Sequence, residues 1–132
     1  MDILHDLLIC IGRLFISALF IWAAVSKLTH WKESLAHIHT KKIPHASLLL
    51  SLAILAQIAG GLSLVLGYQT KLGALLLICV TLPAMLKMHD FWNVAGPQNS
   101  HEKAFFMKDL AIVSALVLLI AVGAGSFSFD GQ

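Results

Sequence analysis

LGALLLICVTLPAML, residues 72–86, runs straight into Lys87-Met88-His89-Asp90-Phe91-Trp92. Fifteen apolar residues wound as a helix cover only about 22 Å, short of a hydrocarbon core of roughly 30 Å. Polar groups at the end of such a run are therefore drawn inward, and Lys87, His89 and Asp90 are the candidates. Pro83, Lys87 and Asp90 fall at i, i+4 and i+7 on one stripe. Pro83 frees a backbone carbonyl one turn earlier and predicts a kink that opens a cavity. Ionisable groups at the edge of a membrane helix are costly, which makes them functional candidates by default. The competing reading is an interface collar, with the Trp92 ring at headgroup level and the charges in water.

Three more apolar runs flank this one. The first, about 3–28, carries Arg13 nearly half-way along and Lys27 near its end. These two lie four turns apart on one face with Ser17, Phe20 and Ala24, separated by about 21 Å. Snorkelling to the headgroups is the ordinary expectation for Lys27. The second run, 46–66, places Gln57 beside Ala53, Ala56 and Gly60, small side chains that let a neighbouring helix approach. Gln57 is expected within reach of Arg13, whose guanidinium needs a partner at that depth. The turn Gly67-Tyr68-Gln69-Thr70 makes the second and third runs antiparallel neighbours. The fourth run is purely apolar only from Leu110 to Ala124, and the same shortfall pulls Lys108 and Asp109 toward the core edge. Phe127 and Phe129 form an interfacial foot beyond it. Thr29 to Pro44 and Asn93 to Lys103 are read as solvated loops. His37 and His39 have no third ligand at a metal-binding spacing, so no metal site is expected.

The expected fold is all-α, an integral membrane four-helix bundle forming one domain over 1–132 with helices at about 3–28, 46–66, 71–90 and 104–124. Charged residues make up 12% of the chain, against about a quarter in soluble domains, and the mean hydropathy is +0.85. The four runs leave no room for a soluble domain. A net charge of +2, with basic residues scattered, excludes a nucleic-acid partner and points to membrane lipids. The first run follows Asp2 and Asp6, lacks a small-residue cleavage site and is read as retained. Cys10 and Cys79 form no C-x-x-C pair and are read as buried small hydrophobes. No nucleotide, flavin or haem motif is present. Four crossings bring Lys27, Lys87, His89, Asp90, Lys108 and Asp109 to one face. Lys32, Lys41, Lys42 and Lys103 join them there, against Arg13 and Lys71 opposite. The positive-inside rule makes that face cytoplasmic and both termini external.

Arg13-Leu14-Phe15 leading to Lys27-Leu28, Gln57-Ile58-Ala59-Gly60-Gly61 with Gly67, and His89-Asp90-Phe91-Trp92 form an ordered series. Phe106-Met107-Lys108-Asp109-Leu110 and Gly123-x-Gly125 closing at Asp130 complete it. Together they resemble the DoxX family of small bacterial membrane proteins. Two positions depart from the family pattern, which usually has glutamate in place of Gln57 and asparagine in place of Asp109. The resemblance implies a four-helix fold in the inner membrane. It also implies an association with quinone-linked sulfur oxidation or redox-stress complexes, although many members have no assigned activity.

Two functions follow as expectations. In one, Arg13, Lys27, Gln57, Lys87, His89, Asp90, Trp92, Lys108 and Asp109 line a polar pocket that binds a lipid or small amphipathic ligand, or seats the chain as an accessory subunit. In the other, the chain is a quinone-linked membrane subunit of a sulfur or thiol redox system, with quinone as the cofactor and a redox protein as partner. Whether the chain catalyses a reaction, and whether it forms a homo-oligomer, stay open.

Overall fold

In the computed structural model, which describes residues 3–129 apart from the Gln98 side chain, the chain forms five α-helices and one 3-10 turn. Asp2 and the Asp130 that closes the last motif lie outside the described residues. Helix α1 spans Ile3–Thr29, α2 Trp31–Thr40, α3 Ala46–Leu66, α4 Thr70–Met88 and α5 Pro97–Val122, with the 3-10 turn at Phe91–Asn93. Four segments are long and apolar enough to cross a membrane, Ile3–Thr29, Ala46–Leu66, Thr70–Asn93 and Asn99–Val122. The all-α, four-span fold expected from the hydropathy pattern is the one observed.

Packing follows chain order: α1 lies on α3, α3 on α4 and α4 on α5. Phe20 of α1 shares a core with Leu77 and Met85 of α4 and with Val113, Leu116 and Leu119 of α5. Lipid tails are as apolar as leucine, so this core is held by close packing rather than by expulsion of water. Adjacent glycines let α3 sit centrally. A Cβ on Gly60 would lie 2.6 Å from Leu77 Cγ of α4, and one on Gly61 2.7 Å from Ile21 Cγ1 of α1. Gly67 then ends α3 in the left-handed region (φ 67°), its N–H bonded to the Ser63 carbonyl, and α4 begins three residues later.

Three boundaries differ from the sequence reading. The segment Thr29–Pro44 is not all loop. Within it, α2 presses Trp31, Leu35 and Ile38, a stripe at i, i+4 and i+7, onto Ala24, Leu50 and Ile54. Helix α5 begins at Pro97, seven residues before the expected 104, because proline is preorganised for the first helical turn and Gly96 supplies the positive φ before it (74°). Asn99 Nδ2 donates to the Phe91 carbonyl at 2.6 Å and to that of Val94 at 3.0 Å, tying this start to the preceding turn. Helix α4 runs through Pro83 and stops at Met88 rather than 90.

Two open grooves lie away from Pro83. One is lined by Leu14, Ser17, Ile21 and Val25 of α1 with Val65, the other by Val65, Leu66 and the segment Phe127–Phe129.

Candidate functional site

An ion network sits where α4 ends and α5 begins, joined by Lys41 from just past α2. His89 caps α4. Its Nδ1 lies 3.2 Å from Glu102 Oε2 and its Nε2 3.6 Å from Asp109 Oδ2. Glu102 and Asp109 are seven residues, or two turns, apart on α5 and so face the ring from one stripe. The ring stacks on Phe105, with centroids 5.2 Å apart and planes 25° apart. Lys41, just past α2, donates to Asp90 Oδ1 at 2.7 Å and stands 4.0 Å from Glu102. Asn93 Nδ2 donates to Asp90 Oδ2 at 3.2 Å.

Lys27 extends the network into the bundle. Side chains on a helix lean toward its N-terminus. On α1 that direction carries Lys27 Nζ away from the helix end and toward the middle of α3, where it donates to Gln57 Oε1 at 3.1 Å. It lies within electrostatic reach of Asp109. Snorkelling, the ordinary expectation, does not occur, because the amide and the carboxylate offer a partner inside. Gln57 is 8% exposed, too buried to leave its amide without one.

The network therefore sets two ammonium groups, Lys27 and Lys41, against three carboxylates, Asp90, Glu102 and Asp109. Outside the spans, burial holds the His37 imidazole of α2 below its ordinary value, with Glu102 opposing and Lys41 and His89 adding to the effect.

Of the residues singled out in the sequence, Lys27, Gln57, His89, Asp90 and Asp109 come together. Arg13 does not. It is 3% exposed and lies away from Gln57, its Nη1 donating to the Ala124 carbonyl at 2.6 Å and its Nη2 to that of Phe127 at 2.8 Å. The Phe129 N–H bonds to Leu66 O at 3.1 Å, so the segment after α5 is pinned between α1 and the end of α3. Phe127 and Phe129 thus belong to a strap over the bundle rather than a simple interfacial foot.

Lys87 is exposed, and Lys108 is exposed with Nζ 5.2 Å from the centre of the Phe105 ring. Trp92 is 53% exposed and meets Phe91 and Phe106 edge-on. These three lie at the rim, outside the ion pairs. Cys79 is exposed rather than buried, and Cys10 is half-buried with Sγ 3.7 Å from Arg13 Nη2. Among the described residues no three His, Cys, Asp or Glu side chains converge as metal ligands.

Two members of the network escape the sequence reading, Lys41 and Glu102. Glu102 is 8% exposed, yet it lies in a polar stretch that looks like loop. Starting the helix at Pro97 reveals the Glu102–Asp109 stripe. Lys41 has no such signal, since its partner lies 49 residues away.

A family model described as DoxX matches residues 8–90. The chain is 31% identical over 127 residues to the inner membrane protein YqjF of Escherichia coli strain K12, covering 96% of this chain and 92% of that protein. It is 25% identical over 126 residues to the inner membrane protein YphA of the same organism, covering 96% and 90% respectively. A 68-residue stretch is 31% identical to the Surfeit locus protein 4 homolog of Drosophila melanogaster, covering 50% of this chain and 25% of that protein. No solved structure matches at a significant level.

Proposed function

The chain belongs to the DoxX family of inner-membrane proteins, and from that premise we propose that it holds the head group of a small amphipathic molecule at the network around His89. The chain acts there as a binding or accessory protein, and the site lies at the cytoplasmic leaflet, the side favoured by the excess of lysine. The observation that carries this reading is the bracketing of His89 by Glu102 at 3.2 Å and Asp109 at 3.6 Å, at the border between bundle and interface. Burying such a set costs several kcal/mol per ion before pairing repays it, so its presence argues for use. The stacked Phe105 offers an apolar wall, while Lys27, Gln57 and His89 offer hydrogen bonds. With three carboxylates against two ammonium groups, the site suits a neutral or amine-bearing head and repels an anionic one.

The test is mass spectrometry of lipid extracts from protein purified in mild detergent. Wild type should retain a species that His89→Gln loses while melting at a similar temperature. Identical extracts from both would overturn the reading. Partnership with a redox protein and self-association are further proposals, read from co-purification of the same material.

A second reading, a quinone-linked redox subunit, is favoured by one feature of the same site. A ring nitrogen backed by a carboxylate can pass a proton, as reduction of a quinone with electrons from a separate redox partner protein requires. Added decylubiquinone should then shift the fluorescence of Trp92, which packs on Phe91 and Phe106. An unchanged spectrum at saturating quinone removes this reading and leaves the first intact.

A further inference from the structure

The charges that the network does not consume are distributed very unevenly. At the network end Lys32, Lys42, Lys87, Lys103 and Lys108 are all exposed, while Glu33 is the one exposed acid there among the described residues. The other acids of that end face inward: Asp90 onto Lys41, Glu102 and Asp109 onto His89. At the opposite end Lys71 is exposed and Arg13 is buried. The histidines are as lopsided, with His30, His37, His39, His45 and His101 exposed at the network end. They stand on three elements: α2 and its flanks, the turn into α3, and the first turns of α5. Helix α2 buries its apolar stripe on α1 and α3, which leaves its polar side facing out.

We infer that this rim is a docking surface for the headgroups of acidic phospholipids, and that it strengthens as its histidines gain protons. The occupant follows from charge: a cationic ring, relieved of its acids by internal pairing, around an aromatic collar of Trp92 and Phe105 at 53% and 45% exposure. Near an anionic bilayer each basic residue adds up to about fivefold in affinity. Histidine passes from mostly neutral to mostly charged between pH 7.5 and 5.5.

The groups facing these histidines set the order of response. His30 Nδ1 lies 3.0 Å from Thr29 Oγ1 and 3.1 Å from the Ser26 carbonyl. His37 faces Glu102, Lys41 and His89, and its partial burial, helped by Lys41 and His89 against Glu102, makes it slow to charge. His39, His45 and His101 stand exposed on α2, at the start of α3 and on α5. This surface shares the Phe105 ring with the His89 site but does not depend on the reading given for that site.

The experiment uses the full chain carrying Trp22→Phe, which leaves Trp31 and Trp92 as reporters at the rim. It is reconstituted in phosphatidylcholine bilayers containing brominated phosphatidylglycerol or, for comparison, brominated phosphatidylcholine. Quenching gives the relative association constant, expected at about fivefold in favour of the acidic lipid at pH 7.5 and about fivefold more at pH 5.5. The triple change His39→Gln, His45→Gln and His101→Gln should remove most of the acid increment while keeping the preference at pH 7.5. Lys32→Gln with Lys42→Gln should lower the preference at both. Equal quenching by the two lipids at both pH values overturns the inference, as does an acid increment that survives the triple change. Loss of the preference in 50 mM inorganic phosphate at matched ionic strength would identify a small-anion site instead and overturn it too. If the triple variant loses helical circular dichroism, the lysine pair and the wild-type pH series decide alone.

Discussion

Lys27 stands between Gln57 and Asp109, and the two departures from the family pattern fall on these two neighbours. Relative to the pattern that the resemblance implies, the acid near Lys27 lies on α5 rather than on α3. That exchange can be reversed in steps. Lys27 and Asp109 interact through charge without forming a contact ion pair. Their attraction is thus below the roughly 4 kcal/mol of a unit pair at about 4 Å and an effective dielectric of 20, and desolvation cancels a large part of it. Asp109→Asn removes the charge facing both Lys27 and His89, while Lys27 keeps its bond to Gln57 at 3.1 Å. The expected loss is therefore about 1–2 kcal/mol, below the full cost of breaking a buried pair. Gln57→Glu alone adds a carboxylate to a site already rich in them and should cost about 1 kcal/mol. In the double variant the new carboxylate replaces the lost one, and stability should return to within about 0.5 kcal/mol of wild type. The coupling is then about 2 kcal/mol, large for a membrane protein, where such energies average about 0.6. Reversible unfolding in mixed micelles, followed by circular dichroism with rising dodecyl sulfate, measures all four corners of the cycle. Additivity within about 0.5 kcal/mol would mean that the two positions do not share Lys27, and the network as drawn would be wrong.

Arg13→Met should release the segment 123–129, since both carbonyl partners of the guanidinium lie on it. The expected result is a loss of about 2–3 kcal/mol with faster amide exchange at Phe129, and unchanged exchange there would refute the strap. Gly60→Ala places a methyl 2.6 Å from Leu77 Cγ and should cost about 1–3 kcal/mol by overpacking. Adding Leu77→Ala to it should give a smaller total loss than the two single changes combined, as read from melting temperatures. The His37 imidazole should titrate below the ordinary value of about 6.5 in proton NMR. Its charged form is disfavoured in the fold, so the unfolded chain holds more protons between the two midpoints. The His37 contribution to stability is therefore full above about pH 6.5 and declines as the pH falls through that window. A midpoint at or above 6.5 would contradict the burial assigned to it.

The spans are legible in the sequence because hydrocarbon thickness imposes a length that apolar runs must meet. The short third and fourth runs single out Lys87, His89, Asp90, Lys108 and Asp109 alike, of which His89, Asp90 and Asp109 enter ion pairs while Lys87 and Lys108 are exposed. Helix α2 is hidden by its charges, although Trp31, Leu35 and Ile38 carry the helical spacing. Glu102 is hidden by the assumption that polar residues after Asn93 form a loop, while Gly96-Pro97 already signals a helix start. The partners of Arg13 and Lys27 were beyond reach for a different reason. Both groups lie on the same α1 face, and only the tilt of side chains and the path of the strap decide that one meets Gln57 and the other a pair of backbone oxygens. Such choices depend on three-dimensional closure, and no local pattern encodes them.

The Arg13 contacts also set an order of events during biogenesis. The carbonyl of Ala124 is made 111 residues after the guanidinium that binds it. Helix α1 must therefore enter the bilayer with its cation provisionally solvated, by water in the insertion machinery or by a lipid phosphate, until α5 emerges. A chain ending before Ala124 would leave the Arg13 guanidinium without either carbonyl that it binds in the finished fold.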